Sequence, residues 1–292
     1  MSSAGSSPSV RILDPDNYKA RVVAMFDGRS SSYDTNSVFH PRLAAGTVDR
    51  ANLQPGERVL DLASGTGLCA LDAAQRVGPK GSVLGVDLTD TMLAVARKKA
   101  EQQGLRNVRF EVGDVDALAL PPGGFDAALC SNGMLYFQDI AGALCQVVRW
   151  LRRGGRLVFN TPVAPMFKAT SVLHQLVQEH HGLPLVDAGM PLADPPTVRA
   201  LLLASGFAAA EVQAPVFTPI LHWQVTVTEE VHNAMGAATP EEYAEKMWRM
   251  NTMHAIAPLR SVLSEQQVEA LRQPFLDAAA ELANINIRDS RY

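Results

Sequence analysis

Between residues 57 and 160 short apolar runs alternate with amphipathic segments of helical period, and few folds accommodate that order. Arg58-Val59-Leu60-Asp61-Leu62 follows the turn signal Pro55-Gly56. A helical stretch from Gly67 to about Arg76 ends at Gly78-Pro79-Lys80-Gly81. Ser82-Val83-Leu84-Gly85-Val86-Asp87 is a second strand, and the next helix, capped by Thr89 or Asp90, carries Met92, Leu93, Ala96 and Ala100 on one face. Further strands are expected at Val108–Val112, Phe125–Cys130 and Arg156–Asn160, with a helix from Ile140 to Leu151 before the last. Strands apolar on both sides must be covered on both sides. Strand–helix alternation with right-handed crossovers therefore predicts an α/β fold, a doubly wound, mostly parallel sheet.

The flanking segments differ. Residues 1–9 are Ser-rich, without the basic start and apolar core of a signal peptide, and read as a disordered tail. Beyond residue 161 the alternation stops. Helices are expected at 165–181, 195–205 and through most of 239–283, with caps at Thr239-Pro240 and Ser264-Glu265. The formal charge is −4 and charged residues make up 19%, so the clustered cations that neutralise a nucleic acid are missing. No run of 18 apolar residues is present, so no transmembrane helix is expected. Cys69, Cys130 and Cys145 show no metal-ligand spacing and sit in apolar segments. Buried free thiols and a cytoplasmic location follow, and no metal site is expected.

The sharpest motif is Asp61-Leu62-Ala63-Ser64-Gly65-Thr66-Gly67 at the end of the first strand. Its glycines allow a tight turn and close approach of a ligand to the start of the following helix. Asp87 closes the second strand, where an acid about 20 residues past such glycines can accept both hydroxyls of a ribose. Gly65-Thr66-Gly67-Leu68-Cys69-Ala70 also satisfies the dinucleotide pattern, so a nicotinamide or flavin site competes at this point. A glycine turn used only for packing is the plainer reading of the loop alone.

Taken together these residues resemble the class I S-adenosylmethionine-dependent methyltransferases, in their ubiquinone/menaquinone-biosynthesis-like, small-molecule branch. Val59–Gly67, Gly85–Leu93, Phe110–Val115, Phe125–Met134 and Leu151–Leu157 are similar to five ordered motifs of that family. Phe26-Asp27 and Tyr33-Asp34 resemble its N-terminal cover, and the likeness runs from about residue 20 to 212. It implies a Rossmann-like sheet, a helical N-terminal cover and a helical C-terminal lid. The chain would then divide into a disordered tail (1–19), the cover (20–56), the cofactor-binding core (57–164), and the rest of the core with a substrate lid (165–292). By the same likeness Ala63, Ser64, Gly65 and Gly67 would face the methionine half of S-adenosylmethionine. Asp87 would take the ribose, Leu88, Met92 and Val115 would pack on adenine, and Asp114 would accept its amino group. Ser131 and Met134 would border the sulfonium, and Tyr33 would close over the amino-acid end. A dehydrogenase has no use for the Gly113-Asp114 pair or for so long a stretch before the first strand, which weakens the nicotinamide reading. A cofactor-binding protein without transfer activity, such as a cyclase or regulator, is the remaining alternative.

The implied acceptor is less determined. Phe26, Tyr136, Phe137, Met166, Phe167, Trp223, Met247, Trp248 and Met250 suggest an apolar small molecule, a polyketide or isoprenoid, although such sets are commonly plain core. Asn/Asp-Pro-Pro-Tyr, the mark of amide and base methylation, is replaced by Ser131-Asn132-Gly133-Met134, and the lid lacks the thiols that arsenite methylation wants. The expectation is O-methylation of a hydroxyl or enol, with carbon methylation as its close rival. His40, and His254 on a face shared with Met247 and Met250, are the candidate bases; each is otherwise an ordinary surface or structural imidazole. A monomer or homodimer is expected, without nucleic-acid or integral-membrane partners. Related chains close on a hairpin. Asn284–Tyr292, with Ile285 and Ile287 alternating, or residues 216–228 would supply its last strand.

Overall fold

A computed structural model describes residues 15–35, 39–161, 168–183, 192, 195–210, 239–254, 259 and 262–289. They fall into two compact units, one of Lys19–Val163 with Leu192–Phe217, the other of Met1–Tyr18, Ala164–Pro191 and Thr218–Tyr292.

The first unit holds β1 (Arg58–Leu62), β2 (Ser82–Asp87), β3 (Val108–Val112), β4 (Phe125–Ser131) and β5 (Leu151–Asn160), in the order β3-β2-β1-β4-β5. Every pairing is parallel, with Asp61 opposite both Gly85 and Leu129. The period of two divides the strands between two cores. Val59, Val83, Phe110 and Leu129 pack under α2 (Phe39–Ala51), α3 (Leu68–Val77) and α4 (Asp90–Gln102). Leu60, Leu62, Leu84, Val86 and Ala128 pack under α5 (Ile140–Trp150) and α7 (Pro195–Ala204). The strand order reverses between β1 and β4. Their following loops part there and leave a crevice at the carboxyl ends, where open α/β sheets bind ligands.

The second unit is helical: α6 (Lys168–His181), α8 (Pro240–His254), α9 (Glu265–Ala270) and α10 (Arg272–Asp289). Leu173, Met247 and Phe275 are fully buried in its core, and Trp248 packs on Phe275 with ring centroids 5.4 Å apart. The expected caps form: Thr239 Oγ1 accepts from Glu242 N, and Ser264 makes a capping box with Gln267. No helix among the described residues is long and apolar enough to cross a membrane.

Several expectations need correction. Residues 15–19 are not tail, because α1 (Pro15–Asp27) starts at Pro15, whose fixed φ suits a first helical position. Asn284–Asp289 is not a closing strand, since α10 runs through it; residues 216–228 lie outside the described residues. β5 begins at Leu151, straight from α5, and reaches Arg156 across an irregularity in its pairing with β4. Cys145 is exposed on α5, whereas Cys69 and Cys130 are buried, and all three are free thiols.

Candidate functional site

Two cavities open at the switch point, both within the sheet unit. The larger, about 650 Å³, runs from Ala63 and Gly65 past Asp87, Leu88 and Met92 to Asp114 and Val115, and Phe26, Tyr136 and Phe137 wall its other side. The smaller, about 380 Å³, lies over Asp61, Ser64 and Thr66 and is closed by Tyr33 and His40. Tyr33, Ala63, Gly65, Ser131 and Asn132 line both.

The loop after β1 is shaped for close approach. Ala63 holds φ +51°, a left-handed conformation that costs a residue with a Cβ on the order of 1 kcal/mol, and Gly65 follows at +54°. A Cβ on Gly65 would lie 3.3 Å from Met92 Cε. The carboxylate of Asp87 binds the loop directly: Oδ2 accepts from Gly65 N at 2.8 Å and Oδ1 from Thr89 N at 2.8 Å. Burial pushes the Asp87 carboxyl up, against the pull of those amides. Asp61 is 1% exposed and its Oδ2 accepts from Ser64 Oγ at 2.6 Å. Burial raises its pKa to about 7 despite that bond. Across the crevice Asn132 also adopts positive φ, at +53°, and its backbone N donates to Asn160 Oδ1 at 3.0 Å. Gly133 lets the two loops meet, since a Cβ there would come 2.4 Å from Ala63 Cβ.

The cover is tied to this frame by charge. Thr66 Oγ1 and Lys99 Nζ donate to the two oxygens of Asp34 at 2.5 and 2.7 Å, and Thr91 Oγ1 donates to Asp27 at 2.5 Å. Tyr33 stacks on His40 with centroids 4.2 Å apart, and the Arg29 guanidinium lies 5.7 Å from the Tyr33 ring. Burial, then the Arg29 charge, lowers the His40 pKa to about 4, so the imidazole is neutral at physiological pH. Burial raises the Tyr33 phenol, which stays protonated.

The structure thus brings together Tyr33, Ala63, Ser64, Gly65, Asp87, Leu88, Met92, Asp114, Val115, Ser131 and His40 around one crevice. Gly67 and Met134 differ from expectation. Gly67 lines neither cavity: a Cβ there would lie 2.9 Å from Ala96 Cβ, so its smallness lets α3 pack on α4 and β3. Met134 is 1% exposed and belongs to the core under α5, and its neighbours Asn132, Gly133 and Tyr136 make the wall. His254 lies in α8, its side chain outside the described residues. Met247 and Trp248 are core of the helical unit, and Met166, Phe167, Trp223 and the Met250 side chain fall outside the described residues. Sequence reasoning missed Lys19, Asn132 and Asn160, whose partners are remote in the chain, and Asp61, whose partner Ser64 is three residues away but whose burial shows only in the fold.

The residues fit S-adenosylmethionine. Asp87 presents a carboxylate to the larger cavity, an acceptor suited to ribose hydroxyls, and Leu88, Met92 and Val115 give it apolar lining suited to a purine. Asn132 Oδ1 is buried without a donor among the described residues, an acceptor that a ligand N–H or O–H would satisfy. No group of His, Cys, Asp or Glu suited to a metal ion occurs among the described residues.

Comparison with known proteins agrees. A methyltransferase-domain family model matches residues 53–189. Over 152 residues the chain is 37% identical to aklanonic acid methyltransferase of Streptomyces sp. (strain C5), covering 52% of this chain and 69% of the relative. Nocamycin O-methyltransferase of Saccharothrix syringae is 28% identical, with 68% and 79% covered. A ubiquinone/menaquinone biosynthesis C-methyltransferase of Serratia proteamaculans (strain 568) is 33% identical, with 54% and 67% covered. The solved [4+2]-cyclase SpnF shares the fold at a TM-score of 0.54 and 18% identity, over 93% of this chain and 92% of that one.

Proposed function

The chain belongs to the class I S-adenosylmethionine-dependent methyltransferases of small molecules, and on that premise we propose that it methylates a hydroxyl or enol oxygen of an apolar, polyketide-like secondary metabolite. One observation carries the choice of acceptor: Tyr33 and the neutral imidazole of His40 stack side by side at the smaller cavity, beside apolar Ala44 and Leu68. The names of two relatives, aklanonic acid methyltransferase and nocamycin O-methyltransferase, support the same class.

Bound S-adenosylmethionine supplies a methyl group on a positively charged sulfur, open to in-line attack. The chain's own task is then to position the acceptor and exclude water. Asp87 and Asp114 would hold the adenosine, Asp61 with Ser64 and Asn132 would border the methionine end, and Tyr33 would close over it. His40 would accept a hydrogen bond from the acceptor hydroxyl. Its weak basicity favours an acidic enol or phenol over an aliphatic alcohol. His254 remains the candidate base of the helical unit. Carbon methylation is the second reading, because an enol can attack through carbon and a C-methyltransferase is among the relatives. Free thiols suit a cytoplasmic workplace.

The test is to incubate the protein with S-adenosylmethionine and a panel of phenolic and enolic polyketides, then locate the methyl group by mass and NMR. A methoxy product is expected. A methyl on carbon would overturn the oxygen assignment, and no gain of a methylene in any product would count against transfer to this class.

A further inference from the structure

The adenine end of the larger cavity is not built by the sheet and its loops alone. Lys19, on α1, places Nζ 2.5 Å from Asp114 Oδ2 and 2.8 Å from Asp116 Oδ2. Asp114 Oδ1 accepts from Asp116 N at 3.0 Å. The Asp116 carboxylate accepts from Gln138 N at 3.1 Å and Asp139 N at 3.4 Å. One ammonium group therefore joins three segments: α1, the loop after β3 and the loop before α5. Lys19, Asp114 and Asp116 all line the cavity, as do Val22 and Phe26, which follow Lys19 at helical spacing on the same face of α1. Asp27 and Asp34 already fix the far end of this segment to Thr91, Thr66 and Lys99. Lys19 is the tie at the adenine end, and with side chains 28%, 28% and 14% exposed its ion pairs are only partly screened by solvent.

We propose that Lys19 is a positioning residue that clamps the Lys19–Asp27 turns of α1 over the adenine end of the cofactor, so that the cofactor leaves only when the Lys19–Asp114–Asp116 ion pairs open. This rests on the reading of Asp114 as the partner of the adenine amino group. A carboxylate has about four lone-pair sites, so ammonium and amine share Asp114 rather than exclude one another. Cofactor escape then requires breaking an ion pair that touches no reacting atom. Release should accordingly be slow and sensitive to salt.

The experiment measures dissociation of S-adenosylhomocysteine from the full chain by stopped flow, between about 50 mM and about 500 mM NaCl, a range over which the Debye length shrinks from about 14 Å to about 4 Å. The wild-type dissociation rate should rise several-fold with salt. Lys19→Met should raise it roughly fivefold at low salt and remove the salt dependence, the scale of one partly screened ion pair. Lys19→Arg, which keeps the cation, should restore both. A wild-type rate indifferent to salt would overturn the clamp, whether or not Lys19→Met folds. A Lys19→Met rate equal to wild type would do the same. Failure of the wild type to bind S-adenosylhomocysteine at all would instead sink the assignment of the cavity beneath it.

Discussion

Asp61 shows how a single buried carboxyl couples stability to the site. Its folded pKa of about 7 lies above the ordinary carboxylate value, burial being the cause. Between about pH 4 and 7 the folded state then binds a proton that the unfolded state has released, so this group's contribution falls as pH rises through that window. Asp61→Asn should flatten that part of a stability–pH profile measured by denaturant unfolding, while weakening cofactor binding. A profile as steep as wild type would contradict the assignment. For His40 the expected result is a fall in kcat of about 10²-fold in His40→Ala, the low end for a general base because the ring is weakly basic; a kcat unchanged at a pH where the acceptor is neutral would remove it from the chemistry. Residues legible in the sequence were those at strand ends: Gly65, Asp87 and Asp114 sit where their motif placed them. Gly67 and Met134 belong to the same motifs but turn inward, because one face of each loop must also fill the core. Lys19 was not legible, since its partner is 95 positions away.

At the scale of elements, the strands and helices of the sheet followed from apolar runs and glycine stops, which act locally. What holds α2 to the sheet did not. The Asn160 carboxamide nitrogen lies 3.3 Å from Leu43 O, 2.5 Å from Thr47 Oγ1 and 3.0 Å from Ser131 Oγ, while its oxygen accepts from Asn132 N. One strand-end side chain thus fixes both the helix that carries His40 and the loop that carries Asn132. Asn160→Ala should cost about 1–3 kcal/mol, the range for stranding buried polar groups, and should weaken S-adenosylhomocysteine binding as well. Loss of stability with unchanged affinity would show that the network supports the helix alone. The α10 extension through Asn284–Asp289 was illegible for a different reason: alternating Ile285 and Ile287 fit a strand locally, and the helix that precedes them simply continues.

For the whole molecule, the sequence pattern located the sheet unit and a helical remainder, and the cavities belong to the sheet unit. Ligand at about 100 times its dissociation constant should stabilise the state that binds it by about 2.7 kcal/mol. Hydrogen exchange should therefore show added protection in β1, β2, β4 and α2, with the largest gain in the loops at Gly65 and Asn132. Equal protection spread over every helix of α6–α10, with none at those loops, would place the ligand elsewhere.

If the crevice between β1 and β4 holds the adenosine of S-adenosylmethionine on Asp87, removing that carboxylate must weaken binding. Calorimetry of S-adenosylhomocysteine with wild type and Asp87→Ala tests it most directly. The wild type should bind, and the variant should bind more weakly by about 1.5–3 kcal/mol, the range for hydrogen bonds to a charged group. Equal dissociation constants, or wild-type binding of NAD(P)H in place of S-adenosylhomocysteine, would contradict it.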